Sequence, residues 1–479
     1  MDLVVERLLA RPAQRRAELH RRIGISGSRV SSVGEGTGGD GLLAMPALAN
    51  AHDHARAVKP VALGALEMPL EIWLAAITGA PRLDPYLVGA VAFGRSALGG
   101  ASSVMCHLTR AQGGMSLVDE ARQMARAAHD VGVRIAFAPV LRDRNFLAYG
   151  DDERTLALVD EKDRPLVRER LVPKPLPPKE QVALVEEIAA AIGSPLVSVQ
   201  YGPAAAHWCS NALLETIAER SAATGLRIHM HLLETRYQRE WADRAYPQGL
   251  LKFLDSIGFL SPRLSVAHAV WARPDELELL AERGVTISVN NSSNLALRSG
   301  VAPLPQMLRA KVPLAIGQDG TGIDDDDDAL RELRVGWFLH GGVGFEERAD
   351  AATLMHAACD TGRRSVTGID EPAAIEPGRL ADILVLDRAA LARDVIAESL
   401  DDLPLVLSRA TSRHIRAMYV AGREVVSNGK VQGVDLPALE AEMMATLRKG
   451  MAGFNDWQRT VLRMRAGLTR FYATGMHCS

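Results

Sequence analysis

The chain has 479 residues, 47% hydrophobic and 24% charged, with a net charge of −3. That length exceeds one ordinary core and calls for several domains or a large closed fold. The near-neutral charge gives no global basic field for nucleic acid or an anionic membrane, and no apolar run approaches the ~20 residues that span a bilayer.

The N-terminus, MDLVVERLLARPAQRRAELHRR, is charged from its second residue and lacks the apolar core of a signal peptide. Its arginines give a faint likeness to a transit peptide, which Asp2 and Glu6 argue against. Residues 3–5 and 22–33 read as short strands with Gly and Ser turns, and GEGTGGDG (34–41) as a loop. From about residue 46 short β-branched runs alternate with Ala-rich helical stretches. The runs are the one before His52, SSVMC (102–106), RIAFAPV (134–140), LVSVQYG (196–202), RIHMH (227–231), LSVAHAV (264–270), VTISV (285–289) and VPLAIG (312–317). Between them SLVDEARQMARAAHDVG (116–132), SNALLETIAERSAATG (210–225) and PDELELLAERG (274–284) read as helices, each stopped by Gly. Repeated β–α units imply a parallel sheet, and eight of them a closed (β/α)₈ barrel over residues 46–372, with a doubly wound open sheet as the competitor. GRLADILVLD (378–387) and HIRAMYVAGREVVSNGKVQG (414–433) are strand-like again. Strands of segment 373–434 are expected to join those of 1–45 in one small β domain, a β-sandwich with the barrel inserted. Residues 435–479 form a helical extension.

The chemistry-bearing residues sit at the ends of these runs. His52 and His54 are two apart, so in a strand they aim at one point. RIHMHLLET supplies His229 and His231, then Glu234. SVAHAV supplies His268, and LAIGQDG supplies Asp319 near its end. In a barrel such strand-end positions converge on one rim. Neutral imidazoles with a carboxylate suit zinc, and also iron, cobalt or manganese. Such an ion lowers the pKa of a bound water from 15.7 towards about 7. Asp319 and Glu234 are the candidates to move its protons, and His268 either ligates or contacts water and the developing oxyanion.

Other residues carry weaker expectations. His229 lies deeper in its strand and reads as a packed core histidine, while His107 could reach the pocket. Arg56 and Lys59 either meet an anionic or carbonyl-bearing substrate or stay solvated. His207 and Trp208 could line the pocket. The run DDDDD (324–328) reads as a solvated helix start, favoured by the helix N-terminus. Ser292, Ser293 and Asn294 read as a polar loop bonding the rim. Cys106, Cys209, Cys359 and Cys478 lack CxxC spacing and read as reduced thiols in a cytoplasmic protein.

The sequence resembles the amidohydrolase superfamily, in its branch of cytosine, guanine and adenosine-analogue deaminases and triazine chlorohydrolases. MPALANAHDH, HMHLLETRYQ, SVAHAVW, NNSSNLALRSGVAPLPQML, LAIGQDG, IEPGRLADILVLD and YVAGREVVSNG carry the resemblance, in the family's order. It implies a distorted (β/α)₈ barrel with a small β-sandwich. It also implies one divalent ion, zinc foremost, on His52, His54, His231 and Asp319, with Glu234 as proton shuttle and His268 at water or substrate. PALAN replaces the family's PG before the first strand's Asn. LVSVQYGP lacks the lysine that bridges two metals in the binuclear branches, which points to a single ion. The expected activity is hydrolytic deamination of an amino-substituted nitrogen heterocycle. Hydrolysis of an amide, urea-type C–N or C–Cl bond is the alternative, and a non-catalytic interaction barrel a distant one. The expected partners are a small heterocyclic substrate and further copies of the chain, as a homodimer or larger homo-oligomer. Nucleic acid is not expected, since the HxE and PCxxC of nucleic-acid base deaminases are missing. Substrate choice is expected in the loops 55–80, 107–115 and 141–180, with 142–165 as a lid.

Overall fold

A computed structural model describes residues 1–320, 322 and 325–478. Strands β1 (Asp2–Leu8), β2 (Glu18–Ser26), β3 (Arg29–Glu35) and β4 (Leu42–Pro46) open the chain. The barrel strands follow as β5 (Leu48–Asp53), β6 (Ala101–Leu108), β7 (Arg134–Leu141), β8 (Val197–Val199) with β9 (Gly202–Pro203), β10 (Ile228–Leu232), β11 (Leu264–His268), β12 (Thr286–Val289) and β13 (Leu314–Ile316). A short hairpin, β14 (Gly342–Val343) and β15 (Glu346–Glu347), precedes the C-terminal strands β16 (Ile383–Asp387), β17 (Ile415–Val420), β18 (Arg423–Ser427) and β19 (Lys430–Val431).

The eight expected barrel strands are all present and parallel. One run pairs β5-β6-β7-β8 and another β10-β11-β12-β13. Bridges Tyr201↔Ile228 and Ala205↔His231 join the two runs. The barrel closes where the carbonyl of His52 accepts from the backbone N–H groups of Gln318 (3.1 Å) and Asp319 (2.9 Å). These strands are buried on both faces; every residue of β5, β6, β10 and β11 is buried. Parallel strands covered by helices need no polar alternation, which is why they read as short continuous apolar runs. Polar residues inside them, His52, His229 and His231 above all, are therefore the informative exceptions.

Strands from both ends of the chain form one eight-stranded sheet, ordered β19-β18-β17-β16-β4-β1-β2-β3. It has its own core of Val5, Leu8, Ile23, Ile25, Ile383, Val385 and Tyr419. The N-terminal strands run longer than the sequence suggested, because β2 and β3 form a hairpin whose exposed positions are mostly polar or charged and so lack an apolar run. The expected helical extension is a single helix, Leu436–Ala473, started by the Asp435 side chain accepting from the N–H of Ala438. Met443, Leu447, Phe454, Trp457, Val461, Met464, Leu468 and Phe471 form its buried stripe, at spacings of three, four and seven. Trp457 seats in the barrel's upper loops and donates from Nε1 to the carbonyl of Ala75 at 2.9 Å. Among the described residues no helix is long and apolar enough to cross a membrane.

Candidate active site

The ends of β5, β10, β11 and β13 meet at the head of one cavity of about 960 Å³. One donor atom from each of His52, His54, His231 and Asp319 lies within 4.8 Å of the others. Asp319 Oδ1 is 2.8 Å from His54 Nε2 and 3.2 Å from His52 Nε2, and His54 Nε2 is 3.4 Å from His231 Nε2. Ligands bound tetrahedrally at the usual zinc distances stand about 3.3 Å from each other, so these spacings suit one small divalent ion.

The atoms behind the imidazoles fix which nitrogen faces the centre. His54 Nδ1 bonds the carbonyl of His107 (2.8 Å) and His231 Nδ1 that of Ala204 (2.6 Å). A carbonyl only accepts, so each Nδ1 carries the proton and each Nε2 lone pair points inward. His52 Nδ1 is 2.7 Å from His229 Nε2, and His229 Nδ1 is 2.8 Å from Ser265 Oγ. His229 thus stands behind His52 and orients it. Burial keeps the three inward imidazoles neutral: His52 is pushed down to about 3, and His54 and His231 are also lowered. Burial opposes the charge of Asp319, but the His52 and His54 imidazoles beside it outweigh that and hold the carboxyl well below its usual range. Three neutral imidazoles and one carboxylate are the donor set a zinc-type ion takes.

Two further groups face the same point. His268 Nδ1 bonds Asn294 Oδ1 at 2.8 Å, which leaves Nε2 aimed 3.7 Å from Glu234 Oε2 and 4.0 Å from Asp319 Oδ2. Burial pushes the Glu234 carboxyl up to about 7. Its backbone is anchored: Glu234 N donates to Gln238 Oε1, Gln238 Nε2 to Tyr149 Oη, and Tyr149 Oη to Glu71 Oε1, which also accepts from Thr235 Oγ1. His268 and Asp319 both take left-handed backbone, with φ of 73° and 57°. Non-glycine residues held there cost of order 1–3 kcal/mol each, a burden that concentrates at working sites.

The turn after β12 does more than bond the rim. It is a short helix, Asn291–Ala296, in which Ser293 Oγ donates to Asp319 Oδ2 and Asn294 holds His268. Behind it Glu332 accepts from Ser292 N (3.1 Å) and Ser292 Oγ, and burial pushes its carboxyl up to about 7. Sequence reasoning missed Glu71 and Glu332, which lie in helices with no motif around them. The helix Leu436–Ala473 was expected, but not that its Phe454, Leu468 and Tyr472 wall the cavity.

The remaining candidates divide. His107 is fully buried behind the imidazoles, with Nε2 3.1 Å from the carbonyl of Gly202, and does not line the cavity. Trp208 lines it, but His207 lies behind, its ring 4.3 Å from that of Tyr149. Neither Arg56 nor Lys59 is a solvated surface group. Arg56 donates to the carbonyl of Asp319 at 2.8 Å and lies 5.0 Å over Trp73, while Lys59 is buried against Asp327 at 2.5 Å. Of the aspartate run, Asp324 lies outside the described residues. Asp328 caps the helix Ala329–His340, as expected of a helix start, yet Asp327 and Asp328 are buried rather than solvated. The four cysteines are free thiols. The segment expected as a lid is fastened to the C-terminal helix, with Arg463 gripping Asp163 at 2.6 and 2.7 Å.

A model of the amidohydrolase family matches residues 43–425, and the chain belongs to that family. Among proteins of recorded activity it is 30% identical over 240 residues to the 5'-deoxyadenosine deaminase of Methanopyrus kandleri, covering 50% of this chain and 55% of that one. It is 31% identical over 267 residues to the 5-methylthioadenosine/S-adenosylhomocysteine deaminase of Thermococcus sibiricus, covering 55% and 56%. The matched segments thus span about half the length of these relatives. In fold the chain is similar to a zinc-bound adenosine deaminase from Xanthomonas campestris (TM-score 0.75, 23% identity, 95% of this chain and 98% of that one). It is also similar to the zinc complex of atrazine chlorohydrolase TrzN from Arthrobacter aurescens (TM-score 0.77, 21% identity, 92% and 98%).

Proposed function

We propose that the protein is a metal-dependent hydrolase that deaminates an amino-substituted nitrogen heterocycle, using one divalent ion, zinc foremost, on His52, His54, His231 and Asp319. The observation that carries this reading is the convergence of three neutral imidazoles and an ionised carboxylate with a proton-holding Glu234 at the head of a cavity. The fit is supported by His52 Nε2, a buried nitrogen without a hydrogen-bond partner. When bound, the ion supplies Lewis acidity that lets a water give up a proton near neutral pH.

The chain's own groups do the rest. Asp319 accepts the water proton. Glu234, about half protonated near pH 7, gives its proton to the ring nitrogen beside the amino-bearing carbon. His268 Nε2 faces the oxygen that becomes the carbonyl and orients it. Asp319 then passes its proton to the amino group, which leaves as ammonia, and the remaining hydroxyl proton returns to Glu234. We take residues 46–372 as the unit that carries this chemistry, residues 1–45 and 373–434 as its β-sandwich, and 435–479 as the helical extension walling the cavity.

The deaminase names of the two sequence relatives support deamination over the alternatives. The same groups could also cleave an amide, urea-type or C–Cl bond, as the name of the chlorohydrolase neighbour suggests. An ammonia-release screen of the zinc-loaded protein over purines, purine nucleosides, pyrimidines, pterins and triazines decides. Ammonia from a ring amine, lost in Glu234→Gln, is the expected result. Chloride release from a chlorotriazine without ammonia from any ring amine would overturn the deaminase reading.

A further inference from the structure

The cavity carries a feature the reaction does not use. Arg82, Arg110 and Arg170 all line it. They come from three successive rim segments: the loop following the helix Leu70–Thr78, the residues after β6, and the helix Arg164–Leu171. Arg110 is half-buried and tied by Nη2 to the carbonyl of Ala80 at 2.6 Å. Burial, and then the charges of Arg82 and Arg170, pull its guanidinium below the usual range. The Arg82 guanidinium lies over Gly113, where a Cβ would stand 3.2 Å from Arg82 Cζ, so the glycine leaves room for it. Arg170 lies 5.1 Å over the ring of the buried Trp457.

None of the three makes an ion pair with a carboxylate among the described residues, and that includes Glu169, which also lines the cavity. Elsewhere this chain pairs its arginines freely, as in Arg134–Asp382, Arg239–Glu276 and Arg463–Asp163. Arg82 and Arg170 are exposed, and like charges brought together without a counter-charge repel. Planar guanidinium forks suit one class of ligand group, an oxyanion with several acceptor oxygens.

We propose that Arg82, Arg110 and Arg170 form an anion subsite, so that the heterocycle deaminated at the metal-ligand cluster carries a phosphate or carboxylate on the arm away from its amino group. The substrate class is then an anionic heterocyclic amine. The reaction named here rests on the deaminase reading; the subsite does not.

Two measurements separate those failures. The first compares ammonia release from adenosine, adenosine 5′-monophosphate and adenosine 5′-carboxylate, and from the matching guanosine and cytidine sets, on the zinc-loaded protein. An anionic member is expected to exceed its neutral parent in kcat/KM by about tenfold or more, with the phosphate and carboxylate arms telling which oxyanion is preferred. That preference should collapse in Arg82→Gln and Arg110→Gln and return in Arg110→Lys, which keeps the charge. Equal rates on neutral and anionic members, or a preference unchanged in the variants, would overturn the subsite. The second is calorimetric titration of inorganic phosphate and of succinate into the same protein. The Kd of the preferred anion should rise about tenfold or more in Arg82→Gln, an exposed position that tolerates the change. A Kd equal to wild type would overturn the subsite even where no ring releases ammonia. Anion binding lost in the variant with no ammonia from any ring would keep the subsite and sink the deaminase reading.

Discussion

Glu332 offers a pH test of how the candidate site is held. Its carboxylate, buried beneath the turn Asn290–Asn294, accepts from Ser292 N and Ser292 Oγ, and the same turn carries Ser293 to Asp319 and Asn294 to His268. Burial raises its pKa from 4.5 to about 7. Between those values the folded chain holds a proton that the unfolded chain has released. Stability therefore falls as pH rises through this window, and the full cost is present above about 7. A shift of that size corresponds to roughly 3 kcal/mol at 1.36 kcal/mol per unit. Glu332→Gln keeps the shape and one acceptor oxygen but cannot titrate. Urea unfolding of both metal-free proteins at about pH 5 and about pH 8 isolates the residue, because every other group titrates in both. Wild type should lose on the order of 3 kcal/mol more than the variant between the two pH values. Parallel losses in the two proteins would refute the claim that Glu332 is held in a low-dielectric niche under the turn.

Three further outcomes follow from the geometry. Gly317→Ala places a Cβ 2.4 Å from Asn290 Oδ1 and 2.8 Å from His52 Cβ, so it should cost about 1–3 kcal/mol in thermal unfolding and weaken zinc binding by displacing His52. Glu234→Gln should retain bound metal while kcat falls about 10²-fold or more, and the wild-type rate should decline above about pH 7 as the proton on Glu234 is lost. His229→Ala removes the group behind His52 Nδ1 and should weaken zinc affinity about 10–100-fold, read by competition with a chromogenic chelator, without abolishing binding.

The barrel was legible because each buried parallel strand is a short apolar run and each of the helices named from sequence ends at a glycine. The converging residues were legible because strand ends of a barrel meet, so HDH, HMHLLE, AHAV and GQDG could be placed together without knowing any contact. What stayed hidden depends on contacts between distant segments. Arg56 and Lys59 look like surface charges in sequence, yet Asp319 and Asp327, more than 250 positions away, draw them inward. Glu332 is one of several charged positions in its helix, and Glu71, the single charge in LEIWLAAIT, finds its partners Tyr149 and Thr235 far along the chain. The C-terminal segment was legible as helical, but nothing in its sequence said that the helix Leu436–Ala473 would wall the cavity.

The most direct test of the metal-ligand assignment is elemental analysis of the purified protein after reconstitution with zinc, for wild type, His231→Ala and Asp319→Asn. The account predicts one zinc per chain in wild type, and a ligand loss in each variant that leaves the ion weakly held and removed by mild chelation. A wild type that holds no divalent metal, or variants that retain it as tightly as wild type, would contradict the site drawn around His52, His54, His231 and Asp319.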